Sequence, residues 1–468
     1  MTVTAKKEDA AAPSYKYIGT RIVRQDGLDK VTGRARFAAD LTLPGMQHGV
    51  VVRSPHAHAK IVSIDTAKAE AMPGVKGVVT GADFPVLDPK DPQFAVSMNL
   101  MARDKVFYEG QVVAAVAAET RQQARAAAAA VEVEYEVLPH VLTVDEAMAE
   151  GAPLLHEGLM TRGADPPATA PSNVAARTPG GRGDVEAGFA EADVVIEREF
   201  HTKPVHQGYI EPHAAVADTK QDGTSVVWCS SQGHFRVQSQ TAAMLGWEVS
   251  QIKVLPAEIG GGFGGKTTIY LEPLAVKLSE KAGRPVKIVM SRDEVFRATG
   301  PTSGTKIRVK IGAKKDGTLT AAEAWMAYEN GAYPGIWAML GSWCVFACYD
   351  IPNQKVEALD VVVNKPVCIA YRAPSAPMAA FATETVLDEI AREIGMDPME
   401  LRIKNCIEAG APHPFGYPHP RIGLKETLEA IRDSDHYQSA KGRGARDHPA
   451  RRCRRTRRRR RAAGAVEP

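Results

Sequence analysis

Short apolar runs alternate with polar turns through the first third of the chain. Four of these runs have the length and alternation of β-strands: HGVVVRS, AKIVSID, GQVVAAVAAE and VEYEVLP. Between the last two lies TRQQARAAAAAVE, an alanine-rich stretch of helical length. This βαβ rhythm predicts a mixed α/β domain, which we place at residues 17–160.

A second mixed body is predicted over residues 194–440. TSVVWCS, PVKIVMS and KIRVKIG have the pattern of strands, whereas AAFATETVLDEIAREI has helical spacing and stops at Gly395. Asp397 is predicted to cap the next helix, because Pro398 occupies the first helical position and Glu400 follows at capping-box distance. The predicted fold class is therefore α/β, with mixed α+β character, in two domains.

Three segments lack these patterns. Residues 1–16 are polar and alanine-rich and are predicted to form a flexible leader. Residues 161–193 have the Gly, Pro, Ala and charge content of a linker. Residues 441–468 are rich in Arg and have no apolar periodicity, so a disordered tail is expected. We interpret this tail as an aberrant C-terminus, because a GC-rich coding sequence gives such a composition in the wrong frame.

The charge balance separates this tail from the body of the chain. The 468 residues carry a net charge of +3, but residues 441–468 hold twelve basic and two acidic residues, a net +10. The first 440 residues therefore carry −7, which argues against nucleic-acid or anionic-membrane binding by the body. No signal-peptide pattern is found, and no apolar run reaches the roughly 18 residues of a membrane span. With six scattered cysteines, these features predict a cytoplasmic protein.

The strongest local motif is GGGFGGKT, at residues 260–267. Glycines let backbone amides approach a ligand closely, and such a turn favours anionic groups. The string also satisfies the P-loop pattern, so a nucleotide-binding protein that uses Gly260–Thr267 is an alternative. Against it, PAEI separates the preceding strand from the first glycine, and no downstream strand ends in a convincing magnesium-binding Asp.

Longer motifs flank this loop. SSQGHFRVQ precedes it, and VNKPVCIAYRAPSAPMAAFATETVLDEIAREIGMDPMELRIKN follows it. Together with the stretch IGTRIVRQDGLDKVTGRARFAADLTLPGMQHGVVVRSPHAHAKIVSID and with QGYIEPHAAVA, they resemble the molybdenum-binding large subunit of the xanthine dehydrogenase and aldehyde oxidase family. The resemblance covers residues 17–440. It implies an α/β hammerhead domain followed by the first molybdopterin-binding domain.

The resemblance implies a hydroxylase that oxidises a small molecule, an aldehyde or an N-heterocycle, with water as the oxygen source. It also implies a molybdenum–molybdopterin cofactor, an iron-sulfur small subunit with [2Fe–2S] clusters and an FAD-binding medium subunit. Gln232 resembles the glutamine that hydrogen-bonds a metal oxo ligand, and Arg372 opens a second loop near the metal. The residues implied to bind the cofactor are Gln232, Gly233, Gly262, Phe263, Gly264, Gly265 and Arg372.

Departures from the family pattern narrow the expected substrates. Ala373 stands where aerobic carbon monoxide dehydrogenases carry a cysteine, so oxidation of CO is not expected. Thr267 and Pro301 replace charged residues of purine-oxidising relatives. The resemblance stops before the second molybdopterin-binding domain, which supplies the general-base glutamate. A truncated large subunit is therefore expected, with no catalytic residue and no protein ligand to the metal assigned.

Two further alternatives remain open from the residues alone. His206, Glu211 and His213 lie close in sequence and could form a metal site, since imidazole and carboxylate groups suit zinc or iron. A non-catalytic interaction protein could instead use the basic tail to bind its partner.

Overall fold

The computed structural model describes residues 15–441, which form three β-sheets and the helices packed on them. The strands are β1 (Gln47–Arg53), β2 (Ala59–Asp65), β3 (Val75–Thr80), β4 (Lys105–Val106), β5 (Val112–Ala118), β6 (Glu132–Val137), β7 (Val174–Arg182), β8 (Val194–Thr202), β9 (Ala214–Thr219), β10 (Ser225–Cys229), β11 (Ile252–Pro256), β12 (Val286–Val289), β13 (Thr305–Ala313), β14 (Leu319–Glu329) and β15 (Asn353–Val361).

The helices follow in chain order. They are α1 (Gly27–Val31), α2 (Ala67–Glu70), α3 (Phe94–Leu100), α4 (Arg121–Ala130), α5 (Val144–Met148), α6 (Val185–Ala190), α7 (His234–Leu245), α8 (Glu272–Ala282), α9 (Arg292–Ala298), α10 (Trp337–Cys344), α11 (Ala376–Glu393), α12 (Pro398–Asn405), α13 (Leu424–Arg432) and α14 (Asp435–Lys441). Among the described residues, no helix is long and apolar enough to cross a membrane.

A seven-stranded sheet joins the two predicted bodies. Its order is β11-β10-β9-β12-β1-β5-β3, and β1 pairs with β12 in parallel, with Gly49 opposite Ile288. The neighbouring strand β5 reads VVAAVAA and is buried at every position, which explains its unbroken apolar sequence. Helix α8 packs on this sheet and buries Leu274 and Leu278 in the same core.

A second core lies between a five-stranded sheet and two helices. The sheet order is β7-β15-β14-β13-β8, with α10 and α11 packed against it. Helix α11 buries Ala382, Val386 and Ile390 at helical spacing, as predicted. Asp397 caps α12 by accepting hydrogen bonds from the N–H groups of Met399 and Glu400, which confirms its predicted role. A small sheet of order β4-β2-β6 completes the fold.

The predicted linker at residues 161–193 is wrong, because this stretch contains β7 and α6. β7 is an edge strand that pairs with β15 on one side only, so the missing N–H of Pro179 is tolerated there. A Cβ on Gly180 would lie 2.6 Å from the Phe415 ring, and one on Gly181 would lie 2.6 Å from the Gln354 carbonyl oxygen. The glycines therefore serve close packing rather than flexibility. The predicted leader up to residue 14 and the predicted tail after Lys441 lie outside the described residues.

Candidate functional site

Two loops meet on one face of the molecule. The glycine loop (residues 260–267) lies between β11 and α8, and the second loop (residues 369–375) leads into α11. The backbone N–H of Arg372 donates to the Phe263 carbonyl at 2.8 Å. The Gln207 amide donates to the Ala370 carbonyl at 2.9 Å. We call this junction, together with Gln232, the cradle.

Gln232 ties the glycine loop to the seven-stranded sheet. It follows β10 and precedes α7, and its backbone N–H donates to the Lys266 carbonyl at 2.8 Å. Its side-chain Oε1 accepts hydrogen bonds from the N–H groups of Gly264 (2.8 Å) and Lys266 (3.2 Å). Its Nε2 makes no hydrogen bond within the described residues, and the side chain is exposed. Gln232 therefore holds the loop with one end of its amide and presents two N–H donors to the outside.

The backbone of the cradle is strained. Four non-glycine residues within the described part of the chain have positive φ: Phe263 at 54°, Arg372 at 22°, Ala373 at 62° and Ser375 at 66°. All four lie in the two loops. Such conformations cost about 1–3 kcal/mol each and persist where the surrounding structure enforces them, commonly at functional sites.

Glycine is required at two positions of the glycine loop. A Cβ at Gly262 would lie 2.5 Å from Gln232 Oε1. A Cβ at Gly264, where φ is +107°, would lie 2.4 Å from the Ala370 carbonyl oxygen. Any larger residue would push Gln232 or the second loop away, so these glycines let the parts of the cradle touch.

A buried ion pair lies under the glycine loop. Lys266 Nζ is 2.7 Å from Glu211 Oε2, and the lysine side chain is fully buried over the ring of Tyr209. The same carboxylate oxygen accepts the Gly260 N–H at 2.7 Å. Burial lowers the pKa of Lys266, and the facing carboxylate opposes that shift. Because Lys266 points into the protein, the P-loop alternative gains no support from the structure.

The start of α11 also belongs to the cradle. Ser375 precedes the helix without capping it, and its buried Oγ has no hydrogen-bond partner within the described residues. The first backbone N–H groups of α11 consequently have no side-chain acceptor. An uncapped helix N-terminus at the mouth of the second loop favours a negatively charged group.

The structure does not assemble the alternative metal site. His206 contacts Thr299, His213 contacts Tyr209, and Glu211 pairs with Lys266. Over residues 15–441, no group of three or more His, Cys, Asp or Glu side chains could hold a metal ion. By contrast, the structure brings together six of the residues that the sequence implied for cofactor binding, and these lie in the cradle: Gln232, Gly262, Phe263, Gly264, Gly265 and Arg372. Gly233, the seventh, directly follows Gln232 at the start of α7.

Comparisons with known proteins identify the family of the chain. Residues 167–406 match the sequence model of the molybdopterin cofactor-binding domain. Residues 32–139 match that of the aldehyde oxidase and xanthine dehydrogenase a/b hammerhead domain. The chain belongs to the xanthine dehydrogenase and aldehyde oxidase family. The predicted fold, a hammerhead domain followed by a molybdopterin-binding domain, is thereby confirmed.

The chain covers different shares of two curated relatives in this family. It is 34% identical over 422 residues to a probable xanthine dehydrogenase subunit of Bacillus subtilis, covering 88% of the chain and 54% of that protein. It is 32% identical to the nicotinate dehydrogenase large molybdopterin subunit of Eubacterium barkeri, covering 90% of the chain and 96% of that subunit. The chain thus spans about half of the first relative and nearly all of the second.

Solved structures of the family share the fold. Quinoline 2-oxidoreductase from Pseudomonas putida superimposes with a TM-score of 0.81 at 29% identity, over 92% of this chain and 56% of that one. Aldehyde oxidoreductase from Desulfovibrio gigas superimposes with a TM-score of 0.80 at 31% identity, over 89% of this chain and 46% of that one.

Molybdenum–molybdopterin is the cofactor of this family, and the cradle fits such a group. The free Gln232 amide can donate to an oxygen atom, and the uncapped start of α11 suits an anionic group such as a phosphate. The glycines at positions 262 and 264 leave the junction clear of side chains. The sequence did not reveal the Lys266–Glu211 pair, whose partners lie 55 residues apart.

Removal of the buried lysine should destabilise the protein strongly. We expect Lys266→Met to lower the free energy of unfolding by about 3–5 kcal/mol, because Glu211 becomes an unpaired buried charge. The matched control is Lys277→Met, since Lys277 also lies 2.7 Å from a carboxylate (Glu280), but in a partly exposed pair whose side chains are 21% and 43% exposed; a loss under about 1 kcal/mol is expected. Urea unfolding measures both. Equal losses in the two variants would contradict the anchoring role of Lys266.

Acid should destabilise the fold through His206. The Gly208 N–H donates to Nδ1 at 3.0 Å, so Nε2 carries the proton that is donated to Thr299 Oγ1 at 2.8 Å. Burial, and to a smaller extent Arg292, lowers the pKa of His206 to about 4. The unfolded chain protonates near pH 6.5 and binds the extra proton, so stability is lost as the pH falls from about 6.5 to 4.

Denaturant unfolding between pH 4.5 and 8 measures this effect. We expect His206→Gln to remove about 1–3 kcal/mol of the acid-induced loss of unfolding free energy. Buried His213, whose pKa is also lowered by burial, still contributes to that loss in the variant. An identical pH dependence in the wild type and in this variant would show that His206 does not contribute.

Proposed function

We propose that the chain is the large subunit, or part of it, of a molybdenum hydroxylase that oxidises an aldehyde or an N-heterocycle with water as the oxygen source. One observation carries this proposal. Three motifs that are far apart in sequence, around Gln232, Phe263 and Arg372, meet at a strained junction with an exposed amide donor. Strain of this kind is retained where geometry is needed for function.

When bound, the cofactor would supply the redox chemistry. The chain positions that group. Gln232 Nε2 would donate a hydrogen bond to an oxygen atom of the cofactor, because its Oε1 is held by the N–H groups of Gly264 and Lys266. The half-exposed Phe263 ring borders the opening. The backbone of the second loop, hydrogen-bonded to the Phe263 carbonyl, closes the other side.

Uncharged groups at two positions support this substrate class. Thr267 Oγ1 donates to the Gly264 carbonyl at 2.9 Å, so its hydroxyl is used within the loop. The Pro301 carbonyl accepts the Ile369 N–H at 2.9 Å, beside the second loop. Neither residue supplies a charge for purine recognition, and Ala373 has no thiol. The relatives that are named for aldehyde, quinoline and nicotinate support an aldehyde or N-heterocycle.

The proposal includes partner proteins. Electrons would leave through iron-sulfur and FAD-binding subunits, and a further molybdopterin-binding domain would supply the general-base glutamate. Ile210, which is adjacent in sequence to Glu211, and Phe235, three residues after Gln232, are 89% and 88% exposed, which supports contact with additional protein there. The Eubacterium barkeri relative, of nearly the same extent, is itself named as one molybdopterin subunit. Five free cysteines in the described part of the chain favour a reducing compartment, the cytoplasm.

The test is oxygen incorporation. The chain is purified, with the subunits that remain associated, from cells that make molybdopterin, and aldehydes and N-heterocycles are offered in ¹⁸O-labelled water. We expect one class to be hydroxylated with the label in the product, and the oxidised pterin to be detected by fluorescence. An assembly that contains pterin but yields unlabelled product would contradict water as the oxygen source. An assembly without pterin would contradict the function as a whole.

A charge substitution separates the two roles of Gln232. Gln232→Glu keeps an oxygen acceptor for the Gly264 and Lys266 N–H groups but removes the outward amide donor. We expect little change in thermal stability and about a hundredfold lower kcat, the usual scale for losing one oriented donor. Gln122→Glu, at an exposed position of α4, is the matched control. Wild-type turnover in Gln232→Glu would show that the amide donor has no part in the reaction.

A further inference from the structure

A groove lined by arginines lies outside the cradle. It has a volume of about 260 Å³, and its walls come from β1, α4, β12 and α9, together with Ser291. Its charged lining residues are Arg53, Arg121, Arg125, Arg297, Asp293 and Glu294. Four positive and two negative side chains give the lining a formal charge of +2, and none of these residues belongs to the cradle.

The two carboxylates of the groove are already engaged. Arg53 Nε donates to Glu294 at 2.9 Å, and the other Glu294 oxygen accepts the Ser291 N–H at the start of α9. Asp293 pairs with Arg297 at 3.1 Å, and Arg297 also contacts Glu109. The positive charge that remains is therefore that of Arg121 and Arg125.

Arg121 and Arg125 project from one face of α4, four residues apart. Both are exposed, and neither has a carboxylate partner among residues 15–441. Like charges at this spacing destabilise a helix by a few tenths of a kcal/mol. On the adjacent strand, His48 has a lowered pKa because of burial first and then the charges of Lys287 and Arg121, which indicates a positive potential on this side.

We propose that this groove binds a small phosphate-class oxyanion, either inorganic phosphate or the phosphoryl group of a larger molecule. Planar guanidinium groups bind such oxygens in pairs, and Arg121 and Arg125 have their donors free for this. A hollow formed by four elements suits a compact anion better than an extended acidic protein segment. The site is independent of the proposed oxidation.

Arginine labelling of the 468-residue chain locates the site. Phenylglyoxal modification is followed at each arginine by peptide mass spectrometry, at constant ionic strength. We expect inorganic phosphate, at about four times its Kd, to slow the labelling of Arg121 and Arg125 about fivefold, since protection follows 1 + [L]/Kd. Arg392, exposed on α11, is the internal control and should not be protected. Chloride at equal ionic strength should protect none of them.

A comparison of anions identifies the source of the phosphoryl group. If pyrophosphate and adenosine monophosphate protect at lower concentration than inorganic phosphate, the ligand is a larger phosphorylated molecule. If all three act equally, the groove takes the free ion. Absence of protection up to about 20 mM of all three overturns the proposal. Protection by poly-glutamate alone also overturns it, because the groove would then be a surface for an acidic protein.

Calorimetry on variants provides the second measurement. We expect Arg121→Gln combined with Arg125→Gln to weaken phosphate binding at least about tenfold, while Arg392→Gln leaves Kd within about twofold. The basic residues 441–468 are the same in every variant, so any binding by them cancels in the comparison. Circular dichroism and thermal unfolding establish that both variants fold. Equal phosphate affinity in the wild type and in the double variant would refute the site.

Discussion

The buried ion pair between Lys266 and Glu211 is the constraint on which the cradle depends. A loop with five glycines has few side chains to pack and loses much conformational entropy when it is ordered. Glu211 compensates for this by accepting both the lysine Nζ and the Gly260 N–H with one oxygen, at 2.7 Å each. The two ends of the loop are thereby fixed to the same buried carboxylate, and Gln232 then has a defined backbone to hold.

The cradle lies where two separately packed layers meet. Gln232 and the glycine loop come from the seven-stranded sheet, whereas the second loop connects β15 to α11 in the five-stranded layer. Each layer has its own apolar core. The link is made by a few polar contacts, chiefly Arg372 N–H to the Phe263 carbonyl and Gln207 to the Ala370 carbonyl. Strained residues persist there because the two cores enforce their positions.

Much of the fold could be predicted because its signals are local. The unbroken apolar run of β5, the spacing of α11 and the Asp397 cap each depend on residues within one element. The stretch that contains β7 was misassigned for a different reason. Its proline and glycines match a linker in composition, but an edge position tolerates Pro179, and Phe415 and Gln354 approach the two glycines too closely for any Cβ. Those contacts are distant in sequence.

The candidate site also depends on contacts between residues that are distant in sequence, which could not be predicted. The motifs around Gln232, Phe263 and Arg372 could be found in the sequence, but GGGFGGKT alone fits a phosphate-binding loop as well as a cofactor cradle. What separates the two is the direction of one side chain, because a lysine available to a nucleotide must be exposed, whereas Lys266 is fully buried beside Glu211. The pairing costs desolvation of both charges, which is tolerable only with hydrogen bonds on each partner. Burial of that lysine, a property of the tertiary structure, therefore decides which function the loop can have.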